Sequence, residues 1–280
     1  MNIPRFWARA EHDGVGGLGW SFQDGEEALK NARVRARENA IRLESRGWER
    51  GGAAYYSIRP LQEPIIREFA NESGDISALL TRNVYGALVL NTAQMMFVDV
   101  DLPASNPGRP GVLAALFGKK RTEENSPNPE IPAIARAQQW AGEQAPWNWR
   151  VYRTKAGLRF LATHRLFDID EPIVDQAFDA LGADPLYRKL CRAQKCFRAR
   201  LTPKPWRAGY HASRLRWPFV DARAHAAHDR WENDYLQACQ RYATCRALPA
   251  IGSAAQEPAL GDLVAFHDAV TRVNSELPLA

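Results

Sequence analysis

Met95-Met96-Phe97-Val98-Asp99-Val100-Asp101 carries two carboxylates in an otherwise apolar run. A repeat of two places Phe97, Asp99 and Asp101 on one face of an extended strand and Met96, Val98 and Val100 on the other. A strand apolar on both faces belongs inside a core, so its acids must emerge at its end. Holding two like charges this close is costly unless a divalent cation or basic side chains neutralise them. Mg²⁺ is satisfied by one or two carboxylates once substrate phosphates complete its shell. Asp99 and Asp101 are therefore candidate catalytic residues and metal ligands, with Mg²⁺ or Mn²⁺ as the ion. The alternative is a strand end whose acids lie in water or pair with Arg.

On the N-terminal side, Ile76 to Arg82 and Ala87 to Asn91 read as strands, with turn chemistry at Asn83 to Gly86 and around Thr92. With Met95 to Leu102 they predict an antiparallel meander. Further upstream, Arg5 to Glu11 and Leu18 to Phe22 predict a hairpin, and Asp24 opens a helix with Glu27 placed for a capping box. That helix has Ala28, Ala32, Ala36 and Ala40 along one side and Gly47 as its stop. Tyr55 to Arg59 reads as a short strand and Glu63 to Phe69 as a helix. The Gly14 to Gly19 run matches G-x-G-x-x-G, but the helix begins too late for a dinucleotide site, so it is read as hairpin.

On the C-terminal side, the proline-rich segment 103–132, with Lys119-Lys120-Arg121, is a long loop insertion. Helices are expected at Ala133 to Glu143, Glu171 to Leu181, Leu186 to Gln194, Asp221 to Tyr242 and Asp262 to Asn274. Strands are expected at Arg150 to Thr154, Leu158 to Thr163 and Phe197 to Thr202. Strands punctuated by helices without strict βαβ alternation predict an α+β fold, a largely antiparallel central sheet flanked by helices. Residues 1–75 form a hairpin-and-helix elaboration, 76–210 the candidate catalytic core, and 211–280 a helical segment of the same domain.

The 280 residues carry a net charge of +5, placed unevenly. Pro185 to Val220 holds ten Lys or Arg and no acid, which leaves the rest of the chain net −5. Such segregation suits a polyanion, nucleic acid or a nucleotide triphosphate; a basic face neutralised by acidic neighbours is the plainer alternative. No apolar run is long enough to span a bilayer and no secretory leader opens the chain, so no membrane partner and a cytoplasmic location are expected. Cys191, Cys196, Cys239 and Cys245 are spaced too loosely for most zinc sites and read as buried thiols. His228 falls on an apolar helix face with Trp231 and Tyr235, and packing is its expected role.

Two further segments supply donors. Thr154 and Gly157 flank a turn whose backbone can approach phosphate, with Arg159 just beyond it. Phe197 to Lys204 puts Arg198 and Arg200 on one strand face, with Lys204 and Arg207 following. Trp147, Trp149, Trp206 and Trp217 are interleaved with Arg and could stack on bases or fill the core.

In the order acidic strand, Gly turn and strand, then basic strand, the chain resembles the archaeo-eukaryotic primase and primase-polymerase superfamily across roughly 76–207. The resemblance implies a primase-polymerase-like core and metal-dependent nucleotidyl transfer, with nucleotide triphosphate and nucleic acid as partners. It implies Asp99 and Asp101 as metal ligands that activate a 3′-hydroxyl, and Thr154, Gly157, Arg159, Arg198, Arg200 and Lys204 as the nucleotide-binding set. Arg159 stands where the family's second motif usually has His; His164 lies five positions on, and so faces the opposite way. The third metal ligand is expected at Asp184, with Asp168 and Asp170 as rivals. A silent nucleic-acid-binding protein and a metal-dependent phosphoesterase are the other functions open to the same residues.

Overall fold

The computed structural model describes residues 1–46, 60–103 and 128–280. The expected Gly47 stop, the Tyr55 to Arg59 strand and most of the 103–132 insertion, including Lys119 to Arg121, lie outside the described residues. The fold is α+β: every strand pair is antiparallel, and helices flank the sheets.

The N-terminal layer is a hairpin, β1 (Phe6–His12) and β2 (Val15–Ser21), covered by α1 (Gly25–Arg46). Asp24 caps α1, its Oδ1 accepting the Glu27 N–H at 2.7 Å. Ala28, Ala32, Ala36 and Ala40 are all buried. Their small side chains let the helix backbone lie directly on the hairpin: a Cβ on Gly17 would stand 2.2 Å from the Ala36 nitrogen, and one on Gly19 2.1 Å from that of Ala32. The glycine run is thus a packing surface for a helix.

Two four-stranded sheets share the main core. One runs β3 (Ile65–Ala70), β4 (Ile76–Arg82), β5 (Leu88–Thr92), β9 (Phe197–Arg200); the other runs β10 (Cys245–Gly252), β7 (Asn148–Thr154), β8 (Gly157–Ala162), β6 (Phe97–Asp101). Leu80, Leu90, Phe197 and Ala199 from the first and Phe97, Val100, Phe160 and Leu161 from the second lie in one buried cluster. Helices α2 (Glu130–Glu143), α3 (Pro172–Leu181), α4 (Pro185–Gln194), α5 (Ala222–Cys239) and α6 (Gly261–Thr271) complete the described chain.

Two expectations are corrected. The segment read as a helix over Glu63 to Phe69 is strand β3, paired with β4; the β-branched pair Ile65-Ile66 and an available sheet edge outweigh its helix pattern. The meander also breaks after β5. Thr92 Oγ1 donates to the Met95 carbonyl at 2.7 Å in a turn that carries the chain to the other sheet, where β6 pairs with β8. The vacated edge of β5 is taken by β9, from more than a hundred residues later in the chain.

Candidate active site

β6 runs outward from the core, and the register with β8 sets what its acids meet. Asp99 stands opposite Arg159, and Asp101 opposite Gly157. Directly opposed side chains share a sheet face, so the Arg159 fork reaches Asp99: Nε to Oδ1 is 2.7 Å and Nη2 to Oδ2 is 3.0 Å. Arg159 is 2% exposed. Burial alone would lower its basicity; the Asp99 carboxylate outweighs that and holds the guanidinium above its ordinary value. Its Nη1 donates to the Arg200 carbonyl at 3.0 Å, which ties β8 to β9 across the two sheets.

Behind Arg159 lies a polar chain that sequence reasoning missed. His267 from α6 is fully buried between Phe97 and Tyr152, and its Nε2 lies 3.4 Å from Arg159 Nη1. Burial lowers the His267 pKa, so the ring is neutral. Its Nδ1–H then donates to Asp268 Oδ1 at 2.9 Å, and Nε2 is left to accept from Arg159. Asp268 also accepts from the Tyr152 hydroxyl at 2.7 Å and pairs with Arg150. The signal available in sequence was Arg159 itself: a cation inside the apolar run Leu158 to Ala162 needs buried partners.

Asp184 is the N-cap of α4. Its two carboxylate oxygens accept the Leu186 and Tyr187 N–H groups at 3.1 and 3.2 Å, and its own N–H donates to the Asp99 carbonyl at 3.0 Å. That backbone bond brings the α4 N-terminus to β6. The rivals Asp168 and Asp170 are engaged elsewhere, Asp170 in an ion pair with Lys195 and Asp168 in the turn before α3.

Asp99, Asp101 and Asp184 line one cleft of about 480 Å³ together with Arg198, Arg200 and Lys204. Loss of water, then Asp184 and Asp99, push the Asp101 carboxyl above its ordinary value; Lys204 and Arg207 pull it back. In the same cleft, burial, then Arg200 and Arg207, push the Lys204 ammonium below its ordinary value, while Asp101 and Asp184 pull it back. The acids and the cations thus each lie among charges of their own sign, which the other set only partly offsets. No described carboxylate lies within ion-pair distance of Arg200, Lys204 or Arg207, and among the described residues Asp101 has neither an ion pair nor a hydrogen bond from its side chain.

The other expected donors lie elsewhere or are engaged. Arg198 Nη2 is held by buried Glu63 at 2.8 and 2.9 Å, and Glu63 also accepts from Thr81 Oγ1 at 2.5 Å. Thr154 and Gly157 sit at the β7–β8 turn and do not line the cleft. Thr154 Oγ1 donates to the Gly157 carbonyl at 3.2 Å, and a Cβ on Gly157 would fall 2.0 Å from the Val100 oxygen. His164 packs against Trp147 and Phe167. All four cysteines are buried free thiols; burial pushes Cys196 up to about 11. His228 stacks on Trp231.

Among the described residues no group of three or more His, Cys, Asp or Glu side chains is arranged to hold a metal ion. One or two carboxylates suffice for Mg²⁺ or Mn²⁺ when the remaining ligands are phosphates and water. Asp101, with the remaining lone pairs of Asp184, fits that smaller donor set; Asp99 has both oxygens on Arg159. No family model, curated protein or solved structure matches the chain. No helix of the described residues is long and apolar enough to cross a membrane.

Proposed function

We propose that the cleft binds a nucleoside triphosphate with one divalent ion and serves nucleotidyl transfer of the primase-polymerase kind. The observation that carries this reading is one cleft lined by Asp101 and Asp184 and by Arg200 and Lys204, in which neither Asp101 nor Lys204 has an ion-pair partner among the described residues; loss of water first, and like charges second, raise the Asp101 carboxyl and lower the Lys204 ammonium. A metal-bound triphosphate relieves both, its cation beside Asp101 and Asp184 and its phosphate oxygens beside Arg200, Lys204 and Arg207. When bound, Mg²⁺ or Mn²⁺ would supply charge neutralisation for the phosphates and for an attacking 3′-hydroxyl.

The chain's own part is positioning. Arg159 fixes Asp99, and through it the end of β6, so that Asp101 projects into the cleft. The capped start of α4 holds Asp184 beside that strand end. Lys204 and Arg207 present ammonium and guanidinium groups that no described carboxylate has claimed, and these can stabilise charge developing on a leaving pyrophosphate. A second reading, a protein that binds nucleotides or nucleic acid without catalysis, draws on one observation: the Asp99 carboxylate is already neutralised by Arg159.

Binding of a labelled dNTP with Mn²⁺ to the parent, Asp101→Asn and Asp184→Asn tests the proposal. Asn is as common a helix cap as Asp and keeps one of the two capping acceptors, so Asp184→Asn removes the charge while leaving α4 capped through its Oδ1. Loss of tenfold or more in affinity in Asp101→Asn is expected, with extended products from the parent on primed or unprimed single strands. Equal binding by Asp101→Asn and the parent refutes the site. Binding without product moves the assignment to the second reading, and hydrolysis without extension to a phosphoesterase.

A further inference from the structure

Trp206 is the one exposed tryptophan among the described residues, at 55%, and it stands between Lys204 of the cleft wall and Arg207. It occupies a single 3₁₀ turn, Pro205–Arg207, anchored by the buried Pro205. The turn is fixed by backbone bonds: the Ala208 N–H donates to the Pro205 carbonyl at 3.0 Å and the Tyr210 N–H to the same carbonyl at 2.9 Å. Tyr85, from the β4–β5 turn, meets the indole edge to face at 5.3 Å and 65°. Lys204 Nζ lies 5.6 Å from the ring centre. An indole held rigid and left open to water adds nothing to the core, and no described carboxylate pairs with its cation neighbours.

Resting on the nucleotidyl-transfer reading of the adjacent cleft, we propose that Trp206, supported by Tyr85, is a stacking platform for an unpaired base of a single-stranded nucleic acid. Lys204 and Arg207 hold the flanking phosphates. The charge argues for a polyanion, and the open aromatic face selects one that carries bases. A duplex keeps its base faces covered by neighbouring pairs, whereas a single strand can offer one to the ring. The platform continues the basic wall of the cleft, so a strand seated on it would lead its end toward Asp101.

The test uses the full chain and fluorescence anisotropy with three labelled probes: an oligothymidylate, an abasic strand of equal length, and a dNTP with Mn²⁺. Stacking of a base on one aromatic ring corresponds to about five- to 150-fold in affinity. The parent is expected to favour the oligothymidylate over the abasic strand by that factor. Trp206→Ala is expected to lose the preference while binding the abasic strand as the parent does, and Trp206→Phe to keep most of it. Lys204→Gln with Arg207→Gln should weaken both strands alike and shallow the dependence on salt.

Equal binding of the two strands by the parent, or an unchanged preference in Trp206→Ala, overturns the proposal and leaves a surface that takes any polyanion. Loss of dNTP binding in Trp206→Ala also overturns it, because the ring would then belong to the nucleotide. The dNTP arm reports on the cleft separately: Asp101→Asn should abolish it whatever becomes of the platform.

Discussion

The Asp99–Arg159 pair predicts an asymmetry between two single substitutions. Asp99→Asn removes the countercharge of a guanidinium that is 2% exposed and cannot shed its proton. Breaking a buried pair from that side costs about 3–5 kcal/mol, since the stranded charge has no route to water. Arg159→Met strands a carboxylate whose side chain is 32% exposed and can be rehydrated from the cleft. It also gives up the bonds to the Arg200 carbonyl and to His267 Nε2, at about 1 kcal/mol each, and the sum is about 2–3 kcal/mol. The double variant, Asp99→Leu with Arg159→Met, replaces both charges by apolar groups and should recover most of the loss. Urea unfolding followed by far-UV circular dichroism reads the difference. With a slope of about 3 kcal/mol per M, Asp99→Asn lowers the midpoint by roughly 1–1.7 M, and Arg159→Met by less. If Arg159→Met proves as costly as Asp99→Asn or more so, the stranded guanidinium does not set the cost and the reasoning fails. The consequence for function is practical: a loss of nucleotide binding in Asp99→Asn would not separate ligation from folding, whereas Asp101→Asn does.

Gly19→Ala places a methyl group 2.1 Å from the Ala32 nitrogen and 2.3 Å from the Ala28 carbonyl oxygen, both α1 backbone atoms that cannot turn aside. It should cost about 3 kcal/mol or more and expose α1 to limited proteolysis; undiminished protection would contradict the helix-on-hairpin contact. Acid should destabilise the fold below about pH 6.5 through His267, His164 and His228, whose pKa values are all lowered chiefly by burial. The sign follows from linkage: as pH falls below 6.5 the unfolded chain takes up protons that the folded chain refuses. Stability present above 6.5 is then lost at up to about 1.4 kcal/mol per pH unit for each histidine. Replacing His267 by Gln should shallow that slope in a pH series of urea midpoints, and an unchanged slope would show that this ring does not titrate differently on folding.

What could be read in the chain divides along physical lines. The strand β6 and helices α2 to α6 were legible because each has a strong local period, such as His228, Trp231 and Tyr235 along one face of α5. The proximity of the acidic strand to Lys204 followed from charge segregation. Strand β3 was not legible, since Ile65 to Phe69 is too short to separate the two periods and its sheet edge is supplied by β4. Strand β10 was missed because Pro249 interrupts it; its register shifts between Leu248 and Ile251. The separation of β6 from β5 depends on β8, some sixty residues away, and no local pattern encodes that choice. The same non-local register turned Arg159 from an expected phosphate ligand into the partner of Asp99.

That register also explains why two acids two residues apart have different parts to play. Asp99 faces a long cation across the ladder, while Asp101 faces Gly157, which offers it no side chain. Gly157 cannot be replaced by a partner for Asp101, because the Val100 carbonyl occupies the space where a Cβ would go. The close approach of β8 to β6 therefore leaves Asp101 without a cross-strand countercharge, with Asp184 and Asp99 as neighbours of like sign. Asp101 is the exposed end of β6, so water holds its charge until a cation arriving with a ligand replaces that water. Lys204 and Arg207, which no described carboxylate claims, complement the phosphate oxygens of the proposed metal-bound triphosphate, as Asp101 and Asp184 complement its cation.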